Sequence, residues 1–369
     1  MICSKEICTG CFACYNSCLK NAIEMQEDEL GYIYPNINKD KCINCNLCKK
    51  VCPALNEVKR NESIQAYAMW NKNLQLRGNS TSGGIATTLY KNVLNKGGVV
   101  YGCINRLDEQ ITFVRIEKIE DLHRIQGSKY VHSYINDKLK EIKKDLEQKR
   151  DVMFIGTPCQ VAGLKKYLMK EYENLYTADI VCHGVPSQKL LEDEIKSNIE
   201  KCENIEVKFR EKQDYCLKIY SNGKEIFKEG IEKNFYILGF LKSLFSRENC
   251  YNCKYANSKR VGDITLGDFW GLDKNGNNEL YKKEEKRGIS LCLINNEKGK
   301  KMFNEIKNDC YFEERTVEEA VNGNDQLRYP SIKNKETEKF KKLYKKYNYK
   351  VASKSCLRFE KLKKKILKG

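Results

Sequence analysis

Short apolar runs alternate with amphipathic stretches along the middle of the chain, and this alternation predicts strands followed by helices. Ala66-Tyr67-Ala68-Met69-Trp70, Val99-Val100-Tyr101-Gly102, Val152-Met153-Phe154-Ile155 and Ala178-Asp179-Ile180-Val181 are brief apolar runs bounded by polar or Gly/Pro clusters. Runs of that length and setting are the mark of buried strands. Between them the period changes to that of helices. Ser80-Thr81-Ser82-Gly83-Gly84 opens one that continues to about Asn95 and ends at Gly97-Gly98. Residues 137–150 form a polar amphipathic helix, a further helix runs from Gln160 to about Lys170, and another follows Ser187. Strand and helix in turn imply a largely parallel α/β sheet. Residues 205–228 read as strands, and 232–246 as an apolar helix from Phe235 through Phe245. Nearer the start, Ala22–Met25 and Tyr32–Tyr34 suit a short hairpin around Glu27-Asp28-Glu29, and 59–63 is a polar linker.

Two cysteine runs flank that hairpin. Cys8, Cys11, Cys14 and Cys18 read C-x2-C-x2-C-x3-C, and Cys42, Cys45, Cys48 and Cys52 repeat it. The second run ends on Pro53; the first has Leu19 there. This is the ferredoxin spacing for two 4Fe-4S clusters, in which the fourth thiolate of each cluster comes from the other run. Cys8, Cys11, Cys14 and Cys52 are therefore expected on one cluster, and Cys42, Cys45, Cys48 and Cys18 on the other. Zinc sites pair two short knuckles, or a knuckle with His, and do not need runs of four. Cys3 falls outside the pattern and reads as a spare thiol. The expected architecture is thus α+β and α/β. A ferredoxin-like 2×(4Fe-4S) module spans 1–58, a larger α/β domain with a partly parallel sheet spans 62–300, and a C-terminal extension with a basic helical tail spans 301–369.

Composition narrows the class. The chain has 369 residues, 19 of them Cys, and a net charge of +17. Cluster ligands follow Met1 almost at once, so no secretory leader is expected. No apolar run of about 18 residues suggests a membrane helix. The cysteines then read as metal ligands in a reducing cytoplasm rather than as disulfides. The charge is uneven: residues 339–369 hold 13 Lys and Arg against the single acid Glu360. Such a tail suits an anionic membrane surface or an acidic partner. The simpler reading is a solvated helix packed by its apolar stripe. No nucleic-acid motif accompanies the charge.

A second constellation lies further on. Cys159 and Cys182 each sit just past a short strand, one strand–helix unit apart, and Cys250-Tyr251-Asn252-Cys253 is a later C-x2-C. Neighbouring strands lie about 4.8 Å apart, so adjacent strands would bring both thiols into the crevice at the carboxyl edge of the sheet. From spacing alone two readings stand. The four hold a third 4Fe-4S cluster, or Cys159 and Cys182 are small buried hydrophobes and the later pair binds zinc or nothing. His183 is a candidate proton donor or, equally, a structural hydrogen-bonder. Ser82-Gly83-Gly84 before a helix suits phosphate or a plain turn. Lys129 in Gly127-Ser128-Lys129-Tyr130 is a candidate phosphate counter-charge or a surface lysine.

Taken jointly, Gly156-Thr157-Pro158-Cys159-Gln160-Val161-Ala162-Gly163-Leu164, Cys182-His183-Gly184-Val185-Pro186-Ser187, Cys250-x2-Cys253 and Asp263-Ile264-Thr265-Leu266-Gly267-Asp268-Phe269-Trp270-Gly271 resemble blocks of the coenzyme F-420 hydrogenase/dehydrogenase beta-subunit family. Ser82-Gly83-Gly84 and Gly127 to Val131 match its earlier blocks, and the resemblance covers roughly 62–300. It implies an FAD-containing iron–sulfur oxidoreductase moving electrons between a one-electron donor, a ferredoxin or partner subunit, and a small-molecule hydride acceptor or donor. It implies Cys159, Cys182, Cys250 and Cys253 as ligands of a third cluster. It implies Ser82, Gly83, Gly84, Lys129, Thr157, Gln160, Asp268 and Trp270 around the flavin, and it does not establish the deazaflavin as substrate. The alternatives are a relay subunit with no substrate of its own and a non-catalytic interaction protein.

Overall fold

The computed structural model describes residues 2–106, 110–200, 203–272 and 279–366. Thirteen strands occur among them. β1 (Ile23–Glu27) and β2 (Ile33–Ile37) form the antiparallel N-terminal hairpin. The main sheet takes β3 (Gln65–Asn71), β4 (Val99–Cys103), β5 (Phe113–Ile116), β6 (Val152–Gly156) and β7 (Leu175–Ile180). A separate antiparallel sheet holds β8 (Ile205–Glu211), β9 (Asp214–Ser221) and β10 (Lys224–Gly230). The main sheet is completed by β11 (Ile264–Asp268), β12 (Ser290–Ile294) and β13 (Cys310–Arg315).

The main sheet has eight strands in the order β13-β3-β12-β11-β7-β6-β4-β5. Its centre is parallel: β4 pairs β6, β6 pairs β7, and β7 pairs β11 in one direction. These central strands are buried on both faces, which explains their unbroken apolar runs. The flanks are antiparallel: β5 on β4, and β12, β3 and β13 beyond β11. The sheet is therefore partly parallel, and it takes an edge strand from beyond residue 300. In β13 only the first residue, Cys310, is buried.

Helices cover the sheet by one apolar face each. The helix Ile85–Asn95 buries Ile85, Leu89, Tyr90, Val93 and Leu94, spaced as one helical stripe, into a cluster with Val100, Met153 and Leu122. The helix Pro158–Leu168 buries Val161, Ala162 and Leu164 against Phe154, Val152 and, from the N-terminal module, Cys11 and Phe12. The module is thus packed onto the sheet's own helix. At the C-terminus, the helices Thr337–Lys346 and Tyr349–Ile366 bury Phe340, Tyr349, Ala352 and Leu357 in a core shared with Tyr32 and Tyr34. The tail has its apolar stripe inward, and its side chains beyond Arg358 lie outside the described residues. Among the described residues, no helix is long and apolar enough to cross a membrane.

One buried ion pair ties β7, β11 and the loop between them. The Asp179 carboxylate accepts from Arg260 Nη2 at 2.9 Å, from the N–H groups of Val261 at 3.0 Å and Gly262 at 2.9 Å, and from Thr265 Oγ1 at 2.6 Å. Both partners are fully buried, with side chains 1% and 0% exposed. Removing one member of such a pair leaves the other charge stranded, which costs about 3–5 kcal/mol. Arg260→Met is expected to lower the stability of the anaerobically purified chain by that order, read as a fall in its urea midpoint.

Candidate functional site

The N-terminal module gathers its thiols across the two runs. Cys8, Cys11, Cys14 and Cys52 line one cavity. The thiols that bear on Cys14 are those of Cys11, Cys8 and Cys52, and those that bear on Cys48 are Cys45, Cys18 and Cys42. The exchange of the fourth cysteine follows from the hairpin β1–β2, which returns the second run to the first. Cys3, outside the sequence pattern, lies with its Sγ 4.0 Å from Cys52 Sγ, on the first of these cavities. Gly10 holds a left-handed φ of +64°, and a Cβ there would meet His132 Cε1 at 2.7 Å. The Cys8–Cys11 turn can therefore carry only glycine at that point.

The second constellation forms at the carboxyl edge of the sheet. β6 and β7 are parallel neighbours, with Gly156 opposite Asp179. Both chains leave the sheet on the same side, one into Cys159 and the other into Cys182. Cys250 and Cys253 come from the short helical turn Glu248–Asn252 and the residue after it. All four thiols line one cavity. Burial pushes Cys159 and Cys182 up to about 12 and raises Cys250. Free thiolates are costly in such surroundings unless positive charge lies beside them. No three His, Cys, Asp or Glu among the described residues converge tightly enough for a single metal ion.

Arg247 joins the two regions, and nothing in the sequence pattern marks it. Its side chain is fully buried. Nε donates to the Cys8 carbonyl at 2.8 Å, and Nη2 donates to the Ile33 carbonyl at 2.8 Å and approaches Cys8 Sγ at 3.6 Å. The guanidinium lies 4.2 Å from the Tyr34 ring centroid. It also lines the cavity of Cys159, Cys182, Cys250 and Cys253, together with Thr9 and His132. Thr9 lines the neighbouring cavity of the first cluster set as well. Burial and the Arg247 charge push His132 down to about 3, so its ring is neutral.

A larger cavity of about 280 Å³ opens on the other side of the second constellation. It is lined by Ser82, Gly84, Lys129, Thr157, Gln160, His183, Asp268 and Trp270, so the sequence-derived residues from distant segments meet there. Thr157, Cys182, Gly184 and Val185 line this cavity and the four-thiol cavity alike. Gly83 is the exception. A Cβ on it would lie 2.3 Å from the Met69 carbonyl, so it is a packing glycine against β3 rather than a lining residue.

The lining residues are held by identifiable partners. Thr157 caps the helix Pro158–Leu168, with its N–H donating to Gln160 Oε1 at 2.9 Å, while Gln160 Nε2 donates to the Ser133 carbonyl at 2.9 Å. Lys129 Nζ donates to the carbonyls of Ile125, Gln126 and Gly127 at 3.1, 2.8 and 3.0 Å. Its own loop holds this ammonium at the cavity, and it is no free surface lysine. Asp268 pairs with Arg210, whose guanidinium lies 5.6 Å from the Trp270 ring centroid. The other oxygen, Asp268 Oδ1, is buried and has no hydrogen-bond partner among the described residues. Burial lowers the pKa of His183, which disfavours the charged form of the ring.

Residues 149–320 match the family model described as the C terminus of the coenzyme F420 hydrogenase/dehydrogenase beta subunit, and residues 7–56 match that of the 4Fe-4S dicluster domain. The chain joins a 4Fe-4S dicluster domain to a domain of the F420 hydrogenase/dehydrogenase beta-subunit family. Cys159, Cys182, Cys250, Cys253 and Arg247 all fall within the matched beta-subunit segment, whereas Ser82 to Gly84 and Lys129 precede it. A curated relative, the coenzyme F420-dependent sulfite reductase of Methanocaldococcus jannaschii, is 24% identical over 334 residues, 82% of this chain. The chain spans 46% of that relative's length. Among solved structures, the F420-reducing NiFe hydrogenase complex of Methanosarcina barkeri has a chain with a TM-score of 0.47 and 17% identity, covering 72% of this chain and 90% of that one.

The contact between the beta-subunit domain and the dicluster domain is testable at one glycine. A Cβ on Gly163 would lie 2.8 Å from Cys11 Cβ and 2.9 Å from its Sγ. Gly163→Ala is expected to displace Cys11 and to lower bound iron by about four atoms per chain, one 4Fe-4S cluster. Iron and acid-labile sulfide analysis measures this; unchanged iron would show that Cys11 yields without losing its ligand position.

Proposed function

We propose that the chain is a flavin-dependent iron–sulfur oxidoreductase. It binds a third 4Fe-4S cluster through Cys159, Cys182, Cys250 and Cys253, and FAD in the large cavity beside it. The observation that carries this reading is the shared wall: Thr157, Cys182, Gly184 and Val185 border both the four-thiol cavity and the large one. When bound, clusters carry single electrons and a flavin exchanges two of them as a hydride with an organic partner.

The residues have separable tasks in this reading. Arg247 and Arg260 line the four-thiol cavity and place buried positive charge beside it. Ser82, Gly84 and the first free N–H groups of the helix Ile85–Asn95 form an anion-binding helix start. Thr157 and Gln160 fix the wall. Asp268 Oδ1, unpartnered and held in place by Arg210, accepts a hydrogen bond from a ring N–H. His183, kept neutral by burial, serves as a hydrogen-bonding group at the cavity rather than as a charged acid. The two-electron partner is a ring of deazaflavin type, a choice supported by the coenzyme named in both the family model and the relative. The one-electron partner is a ferredoxin or a redox subunit.

Cofactor content after strictly anaerobic purification tests this directly. About twelve irons and one flavin per chain are expected, with Cys250→Ala losing about four irons and keeping the dicluster domain. About eight irons and no flavin would overturn the reading.

Lys129 adds a pH test. Burial pushes its ammonium down to about 8, and a bound pyrophosphate would draw it back up. Below pH 8 the cation is already present. Above it, binding must take up a proton, so FAD affinity of flavin-depleted protein is expected to weaken as the pH rises through 8. Lys129→Met should bind FAD more weakly and lose that dependence, as read by quenching of flavin fluorescence.

A further inference from the structure

The dicluster module is electrically polarised. Residues 1–58 contain six lysines and seven acids, so the module as a whole is close to neutral. Yet five of those lysines, Lys20, Lys39, Lys41, Lys49 and Lys50, sit in the segments that carry Cys18 and Cys42 to Cys52. All five are exposed. Among the described residues, none of the five makes an ion pair or a side-chain hydrogen bond; the acids nearest them along the chain and across the hairpin are Asp40 and Glu24, two against five lysines. The acids at the hairpin turn have partners elsewhere. Glu27 accepts from Tyr134, Asp28 pairs with Lys5, and Glu29 pairs with Lys345 of the body.

The same end carries the exposed thiol and bare apolar side chains. Cys45 is exposed, in contrast with the buried Cys8, Cys11 and Cys52 of the inner set. Leu19 and Ile43, each adjacent in sequence to a thiol of the outer set, are 88% and 62% exposed. Two uncovered apolar groups within a collar of unpaired cations, over a redox centre at the surface, have the composition of a transient interface. The charges steer the encounter, and the apolar centre takes the contact.

We infer that the face formed by Leu19, Ile43, Cys45 and the lysines Lys39, Lys41, Lys49 and Lys50 is the docking site for a small electron-carrier protein with an acidic face. The inference rests on the reading of the chain as an electron relay and names the side on which single electrons enter or leave. Long-range steering between opposite charges raises association rates about 10- to 1,000-fold and is screened by salt.

The test is stopped-flow reduction of the anaerobic, cluster-loaded chain by a reduced acidic two-cluster ferredoxin. The second-order rate constant is expected to fall at least about tenfold between low and physiological salt. It should fall similarly at low salt in Lys39→Glu/Lys41→Glu/Lys49→Glu/Lys50→Glu. A control with the same change of charge elsewhere, Lys91→Glu/Lys224→Glu/Lys300→Glu/Lys301→Glu, should keep most of the rate. Methyl viologen radical, which needs no docking face, should reduce all forms. A rate indifferent to salt, or equal losses in both quadruple variants, would overturn the docking face while leaving the relay intact. Failure of methyl viologen to reduce the clusters would overturn the relay reading and the docking face with it.

Discussion

The parallel pairing of β6 with β7 is the constraint from which the site follows. Two parallel neighbours must deliver their chains to the same edge of the sheet, and the crossover helix must return between them. Cys159 and Cys182 are the residues that stand where those chains emerge. Antiparallel pairing would have placed them at opposite edges. The helix Pro158–Leu168, obliged by the same crossover to lie on the sheet, becomes the platform for the dicluster domain through Gly163 and Cys11. A single topological choice thus aligns the inner cysteine set of one domain with the four thiols of the other.

Around this axis the molecule buries charge, which proteins do only with compensation. Asp179 is surrounded by donors, so the Arg260 charge is balanced on the side away from the thiols. Among the described residues Arg247 has no carboxylate partner; carbonyl oxygens and the Tyr34 face receive it, and Nη1 has no hydrogen-bond partner there. An unneutralised guanidinium in a dry interior is expensive unless something negative lies near. Thiolate-ligated clusters on both sides would meet that need.

Much of this is legible in the sequence because it rests on local spacing. The two cysteine runs fix their own loops, and unbroken apolar runs such as Val152 to Ile155 announce strands buried on both faces. The residues that the family resemblance places around a flavin stand in separate blocks, and the fold brings all but Gly83 to one cavity. What spacing cannot reveal depends on distant partners. β13 is mostly exposed and polar, so no apolar alternation marks it. Arg247 and Arg260 lie in a polar loop region and become buried only when Cys8 and Asp179 arrive from elsewhere. His183 is legible as a titratable group, but the burial that disfavours its charged form is not displayed by the sequence. Lys129 is legible as a cation, but the three carbonyls of its own loop that hold its ammonium in place are not.

The wall made by Thr157, Cys182, Gly184 and Val185 is one residue thick. Whatever fills the large cavity therefore also displaces water from one side of the thiol ring. Drying that side makes extra negative charge there harder to hold, and by linkage a more negative ring makes the cavity's occupant bind differently in return. Occupancy and electron affinity become two readings of one thermodynamic quantity. The protein needs no moving part for this reciprocity, only a partition too thin for its two tenants to ignore each other.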